Sequence, residues 1–231
     1  MKKIIPLLTA LSGFVCAQVQ AGVTIGGTRV IYDGSRKETT VSVLNPEKSG
    51  VYLIQSWVDG GQKSDRSPFI VTPPLFRINP GEENILRIVR TGGFLPENRE
   101  SVFWLNVKSI PAMDSRAPDE NRLQLVVKSR LKLFYRPSGL KGDPETAYRK
   151  LQIARHGSTL VMRNPTPYFV TLFSLKVNGH EVRDADLVPP EGQVSYRLAS
   201  PPAGTVTWQA INDYGGISQS ESRRFEGDAG E

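Results

Sequence analysis

The chain has 231 residues, 29 of them Lys or Arg and 23 Asp or Glu, for a formal net charge of +6. Only two histidines and one cysteine are present, too few soft ligands for a zinc or copper site built from several of them. The modest basic excess contains no basic run interleaved with aromatics, so nucleic-acid binding is disfavoured.

Met1-Lys2-Lys3 is a basic head, Ile4 to Val15 is mostly apolar, and Val19-Gln20-Ala21 places small residues at the first and third positions before a cut. This predicts a secretory signal peptide over residues 1–21, cleaved after Ala21. The apolar run is too short to span a bilayer. Cys16 lies inside the leader, and Gly13-Phe14-Val15 before it does not suit lipid attachment. The mature chain of about 210 residues therefore has no cysteine and a net charge of about +4, and its core alone must hold it together.

Strand patterns follow one another. Thr28 to Tyr32 ends at Asp33-Gly34, Glu38 to Leu44 at Asn45-Pro46, and Val51 to Val58 at Asp59-Gly60-Gly61. Phe69 to Val71 runs into Thr72-Pro73-Pro74. Asn84 to Val89 follows Asn79-Pro80-Gly81, and Ser101 to Lys108 stops before Pro111. The last of this group is Asn121 to Pro137. Seven strands separated by turn residues, with no useful helix-period stretch, predict an antiparallel sandwich over residues 22–138.

In that seventh segment the odd positions Leu123, Leu125, Val127, Leu131 and Leu133 are apolar. The even positions mix Val126 and Phe134 with Lys128, Arg130 and Lys132. Period-two alternation puts one set on each face. Two readings stay open: a central strand apolar on both faces, or a strand with a greasy face for something else to cover.

Ser138 to Tyr148 is polar and rich in Gly and Pro, so residues 139–148 read as a linker. Strand patterns return at Leu151 to Ile153, Thr159 to Met162, Tyr168 to Val177, Gln193 to Leu198 and Thr205 to Ile211. They predict a smaller β domain over 149–231 with a frayed tail from Glu226 to Glu231. His156 and His180 each sit beside a turn. Trp57, Trp104 and Trp208 fall in strands, at positions that read as core.

No Gly-x-Ser-x-Gly elbow, phosphate loop or dinucleotide fingerprint occurs, and no EF-hand spacing. A carboxylate pair for glycoside chemistry stays open, because such pairs come from distant strands. No metal and no cofactor is implied.

Several segments together carry a family resemblance. They are Thr28-Arg29-Val30-Ile31-Tyr32, Tyr52 to Trp57, Phe69 to Phe76, Arg99-Glu100 to Phe103-Trp104, Leu131-Lys132 to Arg136-Pro137, Asn164 to Tyr168 and Ile211 to Gly216. In this order and spacing the chain resembles the periplasmic chaperones of the fimbrial chaperone–usher pathway, the PapD and FimC class, closest to the type 1 fimbrial kind. The resemblance covers the mature chain. It implies an all-β protein of two immunoglobulin-like sandwiches in an L or boomerang shape.

The resemblance also implies partners and sites. Partners are fimbrial subunits, which lack their last strand, and an outer-membrane usher. Leu123, Leu125 and Val127 become the strand lent to the subunit, a form of strand addition that combines main-chain hydrogen bonds with alternate side chains in pockets. Arg29 and Lys132 become the anchor for the subunit's C-terminal carboxylate. Glu100, Arg136 and Asp213 become an interdomain salt-bridge triad. The even position of Lys132 and the odd positions of the lent residues conflict in a flat, regular strand, so a twist, a bulge or a displaced cleft is expected. The short Pro111 to Asn121 loop implies the branch that serves rod-like fimbriae. An exposed apolar strand also suits self-association of the empty protein.

Two other classes predict different features. A fimbrial subunit would carry an N-terminal donor extension, which Gly22-Val23-Thr24-Ile25 is too short to supply. A carbohydrate-binding module or enzyme would present a polar and aromatic pocket.

Overall fold

A computed structural model of the chain describes residues 22–60, 67–112, 124–198 and 204–225. The leader, Leu123, most of the Pro111–Asn121 loop and the tail from Glu226 lie outside the described residues.

The first unit contains β1 (Thr24–Ile25), β2 (Arg29–Asp33), β3 (Glu38–Leu44), β4 (Tyr52–Asp59), β5 (Phe69–Thr72), β6 (Leu75–Ile78), β7 (Glu83–Arg90), β8 (Ser101–Pro111) and β9 (Val127–Arg136). They form two sheets, ordered β1-β3-β7-β5 and β2-β9-β8-β4-β6. Inward residues of both sheets, among them Val43, Ile54, Ile78, Leu86, Ile88, Leu105 and Leu133, form one buried core. Burial of such a cluster is the main force that sets the two sheets face to face.

The second unit contains β10 (Gln152–His156), β11 (Thr159–Arg163), β12 (Val170–Val177), β13 (His180–Glu181), β14 (Leu187–Val188), β15 (Gln193–Arg197), β16 (Gly204–Ile211) and β17 (Glu221–Phe225). One sheet runs β10-β11-β15. The other runs β13-β12-β16-β17, with β14 also paired to β12. Its separate core is built on Trp208, Leu160, Met162 and Leu175.

Differences from the sequence reading have physical causes. β6 follows the Thr72-Pro73-Pro74 stop and pairs with β4, while β5 belongs to the other sheet. The proline corner therefore moves the chain between sheets, and Ser56 holds it through its N–H to Pro74 O at 2.9 Å and its hydroxyl to Pro73 O at 2.9 Å. The short strands β1, β13 and β14 are set by pairing rather than by pattern.

Within 139–148, where a linker was expected, a 3-10 helix begins and spans Pro144–Lys150. Asp143 caps it by accepting from Glu145 N at 2.9 Å, and Pro144 opens its first turn. Its Ala147 and Tyr148 are buried in the second core, where Trp208 Nε1 donates to Tyr148 O at 3.0 Å. Packing of the second unit thus starts inside the segment read as linker.

Trp208 is fully buried, but Trp57 and Trp104 are half-buried. On β4 and β8 the inward residues are Ile54, Ser56 and Val58, and Phe103, Leu105 and Val107. Trp57 and Trp104 fall between them and point outward.

Candidate functional site

β9 pairs with β8 in unbroken antiparallel register from Val127↔Ser109 to Tyr135↔Ser101. No bulge interrupts it, so odd and even residues stay on opposite faces throughout. On the odd face Leu131 and Leu133 are 7% and 0% exposed, whereas Val127 is 54% and Leu125, just before the strand, 67% exposed. One apolar face thus changes from core to surface along a single strand. The conflict between Lys132 and the odd residues resolves without distortion, because each face meets a different neighbour.

The other edge of β9 carries β2, which runs parallel to it and pairs only with Lys132 to Arg136. Among the described residues, no strand pairs with that edge of Val127 to Leu131. Its amides and carbonyls form an open template. The first register pair of β2 and β9 is Arg29↔Lys132, so the two expected anchor cations flank the point where the open edge begins.

From Lys132 onward the even face of β9 is turned to the second unit. The Phe134 and Phe169 rings lie 5.6 Å apart. Arg29 Nη1 donates to Ile211 O at 2.9 Å and to Thr171 Oγ1 at 3.3 Å, and its guanidinium lies 5.9 Å from the Phe134 ring. Arg29 Nε is buried without a hydrogen-bond partner. Burial lowers the Arg29 pKa from its ordinary value, and the Asp213 and Asp186 carboxylates work against that. Lys132 Nζ donates to Asp186 Oδ1 and lies 5.7 Å from the Trp104 ring.

Next to this pair, Arg136 Nε donates to Glu100 Oε1 at 2.6 Å. Its Nη1 and Nη2 grip Asp213 Oδ2 and Oδ1 at 2.7 and 3.0 Å. The second Glu100 oxygen accepts from Phe169 N at 2.7 Å, and Glu100 N donates to Pro167 O at 2.9 Å. The Glu100 side chain is 2% exposed. Burial alone would lower the Arg136 pKa, but the Asp213 and Glu100 carboxylates outweigh it and hold the guanidinium above its ordinary value. The three residues named from the sequence therefore form one network, with Glu100 and Arg136 in the first unit and Asp213 in the second.

Outside the anchor, Lys128 sits over Trp57 at 5.0 Å and Arg130 over Trp104 at 4.3 Å. These cations cover the two indoles. Asp186, Thr171 and Ile211 were not singled out in the sequence. Thr171 and Ile211 come from β12 and β16 of the second unit and Asp186 from the residue just before β14, and no local pattern marks them as partners of the two cations.

The family described as "Pili and flagellar-assembly chaperone, PapD N-terminal domain" matches residues 22–141. "Pili assembly chaperone PapD, C-terminal domain" matches residues 146–222. The chain is 44% identical over 223 residues to the "Probable fimbrial chaperone LpfB" of Escherichia coli O157:H7, covering 94% of this chain and 95% of that one. It is 42% identical over 213 residues to the "Chaperone protein FimC" of Escherichia coli K12, covering 92% and 88%. The solved complex of the Salmonella enterica SafA pilin with the SafB chaperone superposes with a TM-score of 0.80 at 35% identity, covering 88% of this chain and 96% of that one.

Proposed function

The chain belongs to the PapD family of pilus-assembly chaperones, a two-sandwich L-shaped fold, and from that premise we propose that it binds fimbrial subunits by lending them β9. The observation that carries this reading is the open edge of Val127 to Leu131, which begins at Arg29 and Lys132 and presents Leu125 and Val127 to solvent. A subunit strand added there in the direction of β2 ends where β2 begins. Its terminal carboxylate then meets the two cations.

Arg29 Nε supplies a donor with no present partner, and Lys132 supplies a point charge. The anchor sets the register, so Leu125 and Val127 enter the subunit's pockets, and a slip of one residue would offer the opposite face. Leu123, the third residue expected to be lent, lies outside the described residues. The Glu100–Arg136–Asp213 network acts one step away. It ties the two units together and so holds Arg29 and Lys132 in one cleft.

The exported chaperone works in the periplasm after loss of the 1–21 leader, and passes its subunits to an outer-membrane usher. While empty, the same edge suits pairing with a second copy.

Co-purification of a co-expressed fimbrial subunit from the periplasm tests the reading. Wild type is expected to yield a soluble one-to-one complex, and folded Lys132→Ala to lose the subunit to proteolysis. Equal retention by both proteins would remove Lys132 from the site.

A further inference from the structure

Asp186 has no part in the anchor as read from the sequence, yet it occupies it. Its carboxylate pairs with Lys132 Nζ, with side-chain exposures of 53% for Asp186 and 17% for Lys132. The cation is sheltered, and the carboxylate is at the mouth. The Asp186 backbone is locked: Leu172 N donates to its carbonyl at 2.6 Å, and the next two residues, Leu187 and Val188, pair with Thr171 and Val170. Only the side chain is free to move. The same carboxylate favours the charged form of Arg29, so it acts on both cations. Chemically it is the same group as the end of a polypeptide chain.

We propose that Asp186 is an internal placeholder for that chain end: it neutralises Lys132 while the edge of β9 is empty, and it turns out to solvent when a terminal carboxylate takes the ammonium. The inference rests on the anchor reading above and adds a residue that sets the strength of the anchor. An empty cleft with a bare, sheltered ammonium would be costly, because a desolvated charge needs a partner. An ion pair with a half-exposed partner meets that need weakly enough to be exchanged. The incoming strand brings main-chain hydrogen bonds along β9 that Asp186 lacks, so exchange favours the bound chain. On release, Asp186 returns and opposes rebinding. The placeholder therefore lowers affinity and assists hand-over.

The test uses a synthetic peptide of the last strand of the subunit that co-purifies with wild type, made as free acid and as C-terminal amide. Affinities are measured for wild type, Asp186→Asn, Asp186→Glu, Lys132→Ala and the Lys132→Ala/Asp186→Asn double variant, each checked by thermal melting. Asp186→Asn is expected to bind the free acid about fivefold tighter, the scale of one partly exposed ion pair. The amide should show no such gain, Asp186→Glu should resemble wild type, and the gain should vanish in the Lys132→Ala background. Unchanged or weaker free-acid binding by Asp186→Asn, with Lys132→Ala still losing the peptide, overturns the placeholder and leaves the anchor standing. Equal binding by wild type and Lys132→Ala removes the anchor and the placeholder with it.

Discussion

Arg29 and Lys132 stand opposite each other as the first register pair of the parallel β2–β9 ladder, and among the described residues the pairing edge of β9 is open on the N-terminal side of that pair. One pair of cations thus marks where an intramolecular strand stops and an intermolecular one can begin. A carboxylate placed there ends an added strand at a fixed residue. Lys132→Ala should weaken retention of a subunit by about tenfold or more, the scale of one charge-assisted hydrogen bond. Arg29→Ala should do the same and also lower the melting temperature, because Arg29 holds Ile211 O of the second unit. Binding assays alongside calorimetry separate the two effects. A Lys132→Ala protein that melts well below wild type would mean the residue is structural.

The change from core to surface along β9 predicts a split within one set of apolar residues. Leu133→Ala, at a fully buried site, should destabilise the fold by about 3 kcal/mol. Val127→Asp, at an exposed site, should leave the melting temperature close to wild type and reduce subunit affinity by about tenfold, the scale of one lost apolar side chain. Denaturant titration and a pull-down read the two outcomes. Similar destabilisation by both substitutions would place Val127 in the core.

Arg136 makes three charge-assisted hydrogen bonds, two of which bridge the units to Asp213, and Glu100 beneath it is sheltered from water. Arg136→Ala leaves that carboxylate without its cation and should cost about 3 kcal/mol of stability. Periplasmic yield should fall more than the subunit affinity of the protein that remains folded. Equal melting of mutant and wild type would contradict a structural role.

Gly215 has φ +86°, and a Cβ there would come within 2.6 Å of Thr28 Oγ1 in the first unit. Gly215→Ala should cost about 1–2 kcal/mol through left-handed backbone strain alone, and the contact should loosen the seam between the units further. Thr28→Ala in the same chain should recover the steric part and not the strain. A double variant no more stable than Gly215→Ala alone would show that the seam does not feel this contact.

Much of the architecture was legible because alternation is local. Glu38–Leu44 was read at its observed bounds, and β2, β4, β5, β7, β11, β12, β15 and β16 within one or two residues, since each run shows its inward face residue by residue; β8, β9 and β10 depart by three residues or more at one end, and β17 was not read. β6 was hidden by the prolines before it, and the two-residue strands β1, β13 and β14 are too short to show a period. Trp57 and Trp104 were taken for core from their positions within strands. Parity with Ile54, Val58, Phe103 and Leu105 puts them outside, a distinction that composition does not make.

The sequence by itself determined two β units, an apolar β9, and the charged residues that the family resemblance picked out. Those properties belong to short stretches of chain, where period and turn chemistry act between neighbours. Only the tertiary structure decided where β2 stops along β9, and hence which stretch has an open edge. It alone turned Leu131 and Val127, on one face, to opposite fates, because burial depends on how far the opposing sheet extends. It alone brought Asp186 to Lys132 from 54 residues away. Contacts of that separation follow from the packing of two cores and from the register of their strands, and neither is encoded in any one segment.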